Sequence, residues 1–178
     1  AAGKVSDETL QTVLSTTRYV HADVTQAEDL RQLIDVCVPA PALYFALPPA
    51  ITIRACTALK DVALPAGTTL VLEKPFGTDA ASAASLNDLL AELVPEQQVQ
   101  RVDHFLGRST VLNLLGVRFA NRLFEPVWSN EHIEGVDIVF DEDLTLENRA
   151  RYYDNAGALR DMIQSHLLQV LAVVAMEP

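Results

Sequence analysis

From Thr25 to Asp103 the chain alternates two hydrophobic periods. The runs Leu43–Leu47, Leu70–Glu73 and Val99–Asp103 are short and largely apolar, with the length of buried strands. The stretches between them space their apolar residues three and four apart. Thr25 is placed to cap a helix over Gln26–Val36 whose Leu30, Leu33 and Ile34 share one face. Pro48-Pro49 suits the first turn of a helix reaching Lys60. Thr78 is placed to cap a helix to Leu93 that turns Leu86, Leu89, Leu90 and Leu93 inward. Ser6 caps a shorter helix to about Leu14, and Tyr19-Val20 reads as a short strand. Alternation of strand and helix predicts right-handed crossovers and an α/β fold. The expectation is a doubly wound parallel sheet with helices on both faces.

From His104 the pattern changes. Ser109–Leu123 reads as a helix with Leu112, Leu115, Phe119 and Leu123 on one face, and His132–Phe140 reads as a longer strand. The expected division therefore falls at 1–103 and 104–178, with the second part opening an α+β domain. A last helix starts near Ala158. It carries Arg160, Asp161, Gln164 and His166 in two turns and is then almost wholly apolar from Leu167 to Met176. Polar groups in the opening turns of a buried helix predict a cleft lined by that end.

Composition narrows the function. Of 178 residues, 49% are hydrophobic and 21% charged, the balance of a soluble globular protein. The net charge of -11 argues against nucleic acid or an anionic membrane as partner, since both favour a basic surface. A phosphorylated small molecule remains possible, because a few local cations suffice to bind one. Leu167–Met176 is too short to span a bilayer, and Ala1–Asp7 has no apolar core of the kind a leader carries. Cys37 and Cys56 are isolated and lack metal-ligand spacing, which predicts free core thiols in a reducing cytoplasm and no metal. No Gly-x-Gly-x-x-Gly occurs, so the residues alone do not announce a dinucleotide site. Both ends read as cut, since Ala1 is not Met and Pro178 directly follows a helix.

Five blocks carry a resemblance. They are Tyr44-Phe45-Ala46-Leu47-Pro48-Pro49, Glu73-Lys74-Pro75-Phe76-Gly77, Arg101-Val102-Asp103-His104-Phe105-Leu106-Gly107-Arg108, the run from Phe119 to Trp128, and the run from Arg151 to Gln169. In this order and spacing they resemble the glucose-6-phosphate dehydrogenase family, over about Tyr44 to Pro178. The resemblance implies that 1–103 is the remainder of an NADP-binding Rossmann-like domain. It also implies that 104–178 begins the substrate domain, and that the Gly-rich turn lies upstream of the matched section. The implied reaction is oxidation of glucose 6-phosphate to the phosphogluconolactone with NADP, NAD remaining the alternative coenzyme. The implied setting is a cytoplasmic homo-oligomer, of which this piece alone would be inactive. Two other readings stay open: a non-catalytic paralogue that binds sugar phosphate, and another sugar dehydrogenase carrying Glu-Lys-Pro.

Such a reaction needs a base, a hydride acceptor and a grip on the sugar. His166, in Gln164-Ser165-His166-Leu167, matches the histidine that the family uses as general base; without its block it would read as a core histidine. Asp103, at the end of a strand, is implied to orient it; alone, it would read as the cap of the following turn. His104 and Arg108 are the phosphate candidates, with the N-terminus of the Ser109 helix beside Arg108. The family has Tyr at Phe105 and Lys at Arg108, so one hydroxyl contact is expected to be lost. Lys74 is implied to contact both the phosphate and the coenzyme side, and Tyr44 the coenzyme. Asp161 and Glu142 are the candidates for the sugar hydroxyls, Glu142 being one of three acidic residues in Asp141-Glu142-Asp143.

Overall fold

A computed structural model describes residues 6–77, 79–141 and 150–177. The expected cap at Thr78 and the candidate Glu142 lie outside the described residues. The chain forms two compact units, Ala1–Val102 and Asp103–Pro178.

The first unit is built on three parallel strands, β1 (Ala42–Phe45), β2 (Thr69–Glu73) and β3 (Val99–Val102), in the order β1-β2-β3. Leu43, Leu70 and Val99 stand in register, and so do Phe45, Leu72 and Arg101. One face of this sheet, through Phe45, Leu70, Leu72 and Val99, meets the buried residues of α2 (Ala27–Asp35), α3 (Pro49–Leu59) and α4 (Ala80–Leu93) in one core. Each step moves one strand along in the same direction. Right-handed crossovers then put α3 and α4 on the same side, where they pack on each other. Ala42, Tyr44, Glu73 and Gln100, on the opposite face, are exposed. Leu59, Leu70, Leu72 and Leu90 are essentially without solvent contact, each worth up to about 1.5–3 kcal/mol of transfer free energy. Cys56 is buried there too, and desolvation pushes its thiol up to about 11.

Helix starts follow the local hydrogen-bonding options. Ser6 accepts the Thr9 N–H at 3.1 Å and caps α1 (Asp7–Thr16) as its sequence predicts. Pro49 opens α3 in the first turn. Thr25 is not a cap: its N–H and Oγ1 both donate to Asp23 Oδ1, at 2.9 and 2.7 Å, so Asp23 closes a local turn and α2 begins after Gln26. α4 is capped by Asp79, which accepts the Ser82 N–H while the Ser82 hydroxyl accepts the Asp79 N–H, a reciprocal box. Tyr19-Val20 forms no strand, and Tyr19 is 90% exposed.

The regular structure among the described residues of the second unit is helical. It comprises α5 (Ser109–Phe119), α6 (Ala150–Ala158), a π-helical stretch (Leu159–Leu167) and α7 (Leu168–Ala175). α5 packs on α7, and the π-helical stretch on α6 and α7. The expected strand at His132–Phe140 is irregular chain, since a strand needs an edge to bond and none of the described residues in this unit supplies one. α5 ends before Ala120, short of the expected Leu123. Its expected inward face is also displaced. Leu112, Phe119 and Leu123 are exposed, whereas Val111 and Arg118 are buried. Arg118 turns inward because it finds partners there. Its guanidinium donates to the Val173 carbonyl and stacks over Phe119, with Cζ 4.6 Å from the ring centroid. The Trp128 indole N–H donates to the next carbonyl, Val174, at 2.9 Å. Both carbonyls belong to the last turn of α7, whose acceptors have no partner within the helix.

Candidate active site

The predicted site residues fall into two groups, one in each unit. In the first unit, Tyr44 and Lys74 lie at the C-terminal ends of β1 and β2, where open parallel sheets present their loops to ligands. Tyr44 is half exposed, and its hydroxyl donates to Glu73 Oε1 at 2.5 Å, which fixes the phenol along the strand ends. The bond to the carboxylate, with some desolvation, raises the Tyr44 phenol above its ordinary value. Lys74 is half-buried and precedes Pro75 through a cis peptide. A small hollow, no roomier than one water, lies between α3, β2 and α4, against Pro49, Thr52, Leu72, Glu73, Phe76 and Leu86.

The second unit opens on a turn. Asp103 Oδ1 accepts the Phe105 N–H at 2.9 Å, so this carboxylate closes the turn that carries His104 and Phe105. Gly107 and Arg108 complete the turn, and Arg108 stands at the N-cap of α5 with its backbone extended. Its carbonyl accepts the Val111 and Leu112 N–H groups, and no side chain caps the helix. No side-chain cap covers the Ser109 and Thr110 N–H groups at this helix start, next to Arg108.

His166 comes to this turn from the other end of the unit. It lies on the π-helical stretch, is the buried histidine of the cluster, and meets two aromatic neighbours. Its ring is stacked on Phe105, with centroids 4.6 Å apart and planes inclined by 21°. His104 meets it edge-on at 5.2 Å. Arg108 in turn places its Cζ 4.8 Å from the Phe105 centroid and 5.0 Å from that of Phe140. The structure thus brings His166 and Arg108 against the Phe105 ring, with His104 edge-on to His166. Asp103 lies next to them along the turn, and the half-buried Asp161 is on the same helical stretch as His166.

Phe140 is the member that sequence reading missed. It stood at the end of an expected strand, and no periodicity distinguished it. Phe105 lacks the expected hydroxyl, and its ring instead meets His166, Phe140 and Arg108. Chemically, two imidazoles and a guanidinium beside an open helix start suit an anion with an adjacent proton to be moved. Among the described residues no set of His, Cys, Asp and Glu is arranged to hold a metal ion, and no helix is long and apolar enough to cross a membrane.

Comparison with known proteins bears on this arrangement. The family model for the glucose-6-phosphate dehydrogenase NAD binding domain matches residues 1–113, and that for the C-terminal domain of the same enzyme matches residues 115–178. The glucose-6-phosphate 1-dehydrogenase of Zymomonas mobilis is 41% identical over 182 residues, covering 100% of this chain and 38% of the relative. The crystal structure of glucose-6-phosphate 1-dehydrogenase from Mycobacterium avium superposes with a TM-score of 0.84 at 36% identity, over 99% of this chain and 39% of that one. A glucose-6-phosphate dehydrogenase in complex with its substrate glucose-6-phosphate gives a TM-score of 0.83, also at 36% identity, over 97% of this chain and 38% of that one. The chain spans well under half the length of the relatives it matches. With a family model over more than half its residues, a second over most of the rest and a histidine cluster assembled from the matched blocks, the chain belongs to the glucose-6-phosphate dehydrogenase family.

Proposed function

We propose that this chain supplies the base, the phosphate grip and part of the coenzyme site of an enzyme that oxidises glucose 6-phosphate at its anomeric carbon with NADP. The observation that carries the reading is the packing of His104 and Phe105 on His166. It joins two matched blocks, distant in sequence, into one cluster beside a cation.

In this reading His166 takes the proton of the anomeric hydroxyl as that carbon is oxidised. Asp103, one oxygen of which accepts the Phe105 N–H, is the carboxylate assigned in this reading to orient His166. His104 and Arg108, with the start of α5, hold the phosphate. Asp161 accepts hydrogen bonds from sugar hydroxyls, a role it shares with Glu142. A nicotinamide coenzyme, when bound, accepts the hydride. Tyr44 and Lys74 would hold it, since a half-exposed phenol and a cation stand at the C-terminal ends of the strands, where open parallel sheets take their ligands.

A homo-oligomer in the cytoplasm belongs to the same proposal. Free Cys37 and Cys56 fit a reducing compartment, and the exposed Leu112, Leu123 and Phe124 are apolar surface of the kind that subunits cover.

The decisive experiment gives glucose 6-phosphate and NADP to the intact gene product and follows reduced coenzyme. His166→Asn is expected to lower kcat by about three orders of magnitude or more, with a small change in KM. Unchanged turnover in that variant would remove His166 from the reaction.

A further inference from the structure

The Phe105 ring is 5% exposed and lies against both working groups of the cluster. It stacks on the His166 imidazole at 4.6 Å and carries the Arg108 guanidinium at 4.8 Å. Phe140 meets it at 5.4 Å and a steep 68°, and takes the same guanidinium at 5.0 Å. The two phenyl rings therefore form a corner over which Arg108 sits. Among the described residues, ring contacts to His166 come from His104 and Phe105, while Phe140 reaches Phe105 and Arg108.

We propose that Phe105 is a positioning residue, holding the plane of the His166 imidazole and the Arg108 guanidinium in one arrangement, with Phe140 supporting the guanidinium alone. This rests on the reading of His166 as base and Arg108 as phosphate ligand. A histidine's outer torsion has a broad, roughly two-fold preference, so its ring plane is set by what it packs on. A base that must meet one hydroxyl in line gains from a fixed plane. A guanidinium resting its face on aromatic rings keeps its N–H edge for an oxyanion. None of this needs a phenolic hydroxyl, so phenylalanine serves as well as the tyrosine that the resemblance leads one to expect.

The contacts divide the kinetic effects. In the intact gene product, Phe105→Leu is expected to lower kcat about tenfold or more and also to raise KM for glucose 6-phosphate several-fold. Phe140→Leu is expected to raise KM while leaving kcat within about twofold, and Phe105→Tyr to keep kcat within about twofold of wild type. The His166 ring protons, shifted upfield by the stacked phenyl ring, are expected to move downfield in Phe105→Leu and to stay in Phe105→Tyr and Phe140→Leu. The proposal is overturned if Phe105→Leu retains its kcat, or if Phe140→Leu loses as much kcat as Phe105→Leu. Should Phe105→Leu fail to fold, the other two variants decide, and a kcat about tenfold lower in either one sinks the idea. The proton shifts and titration with inorganic phosphate require no turnover. A wild type that shows the shifts but oxidises no sugar phosphate refutes the proposed function and leaves the arrangement standing. A wild type that turns over with unshifted His166 protons refutes the arrangement.

Discussion

Replacing Arg108 with alanine separates phosphate binding from structural support. Truncating one partner of a fully buried charge pair costs about 2–5 kcal/mol, but Arg108 is exposed. Its charge is screened by water, and exposed pairs are worth about 0–1 kcal/mol. A dianion placed against the guanidinium edge gains more than that, because charge-assisted hydrogen bonds contribute about 1.5–3 kcal/mol each. Between these limits the expected loss is about 1–2 kcal/mol, or roughly 5–30-fold in kcat/KM for glucose 6-phosphate. Unphosphorylated glucose has nothing for Arg108 to hold, so its kcat/KM is expected to change by less than about twofold.

The assay compares kcat/KM for both sugars in wild type, Arg108→Ala and Arg108→Lys. Lysine restores the charge but has no planar face to lay on Phe105 and Phe140, so it is expected to recover part of the loss. Raising the salt concentration should shrink the gap between wild type and Arg108→Ala, as screening does for exposed charges. Equal losses for the two sugars would refute the reasoning, because Arg108 would then be supporting the fold of the turn.

Two further predictions concern stability. Arg118→Met removes a buried guanidinium that donates to the Val173 carbonyl and rests on Phe119, so it is expected to cost about 2–4 kcal/mol. Trp128 is the only tryptophan and is bonded to the neighbouring Val174 carbonyl, so its emission during urea unfolding reports on this end of α7. A loss under about 0.5 kcal/mol with unchanged emission would show that Arg118 does not hold α7. Hydrogen bonds from Ser82 hold the Asp79 carboxyl below its ordinary value. A depressed carboxyl stabilises the fold above its unfolded pKa and loses that contribution as pH falls through the folded one. The margin of wild type over Asp79→Ala should therefore shrink below about pH 4. Asp79→Asn, which caps without titrating, should keep its margin, and parallel acid unfolding curves for all three would refute the cap.

The parallel sheet was legible because each strand is a short apolar run between helices of clear period, and burial on one face leaves such runs little freedom. Helix caps were less legible. At Thr25 and Asp79 the outcome turned on which of several adjacent oxygens reached a free N–H, and composition does not rank those. The inward face of α5 departs from its apolar spacing for a related reason. Spacing shows which residues share a face, but not what stands opposite, and a buried Arg118 becomes intelligible only once the Val173 carbonyl and Phe119 are in view. Among the site candidates, His104, Arg108 and His166 were put forward by their blocks. Phe140 lay outside any block, and its part depends on a contact with Arg108 that no local pattern encodes.

The helix bearing His166 shows a deeper limit. Leu159–Leu167 is π-helical: the Leu168 N–H reaches back five residues to Ile163, and the Ser165 hydroxyl reaches back five to the Arg160 carbonyl. In an α-helix, residues five apart stand about 140° apart around the axis, on different faces. When hydrogen bonds close five residues back, such residues become neighbours on one face. Asp161 and His166 are five apart. A reading at the α-helical period separates them, whereas the π-helical backbone aligns the proposed sugar ligand with the proposed base. Long π-helical runs are rare, so the ends of this one matter. At its N-terminal side Gly157, with φ 69° and ψ 160°, breaks the backbone out of α6 in a region that suits glycine. At the other side α7 is tied down through its last carbonyls by Arg118 and Trp128. The wider turn is thus held between a glycine break and an anchored helix, and residues with no chemistry of their own set which functional groups share a face.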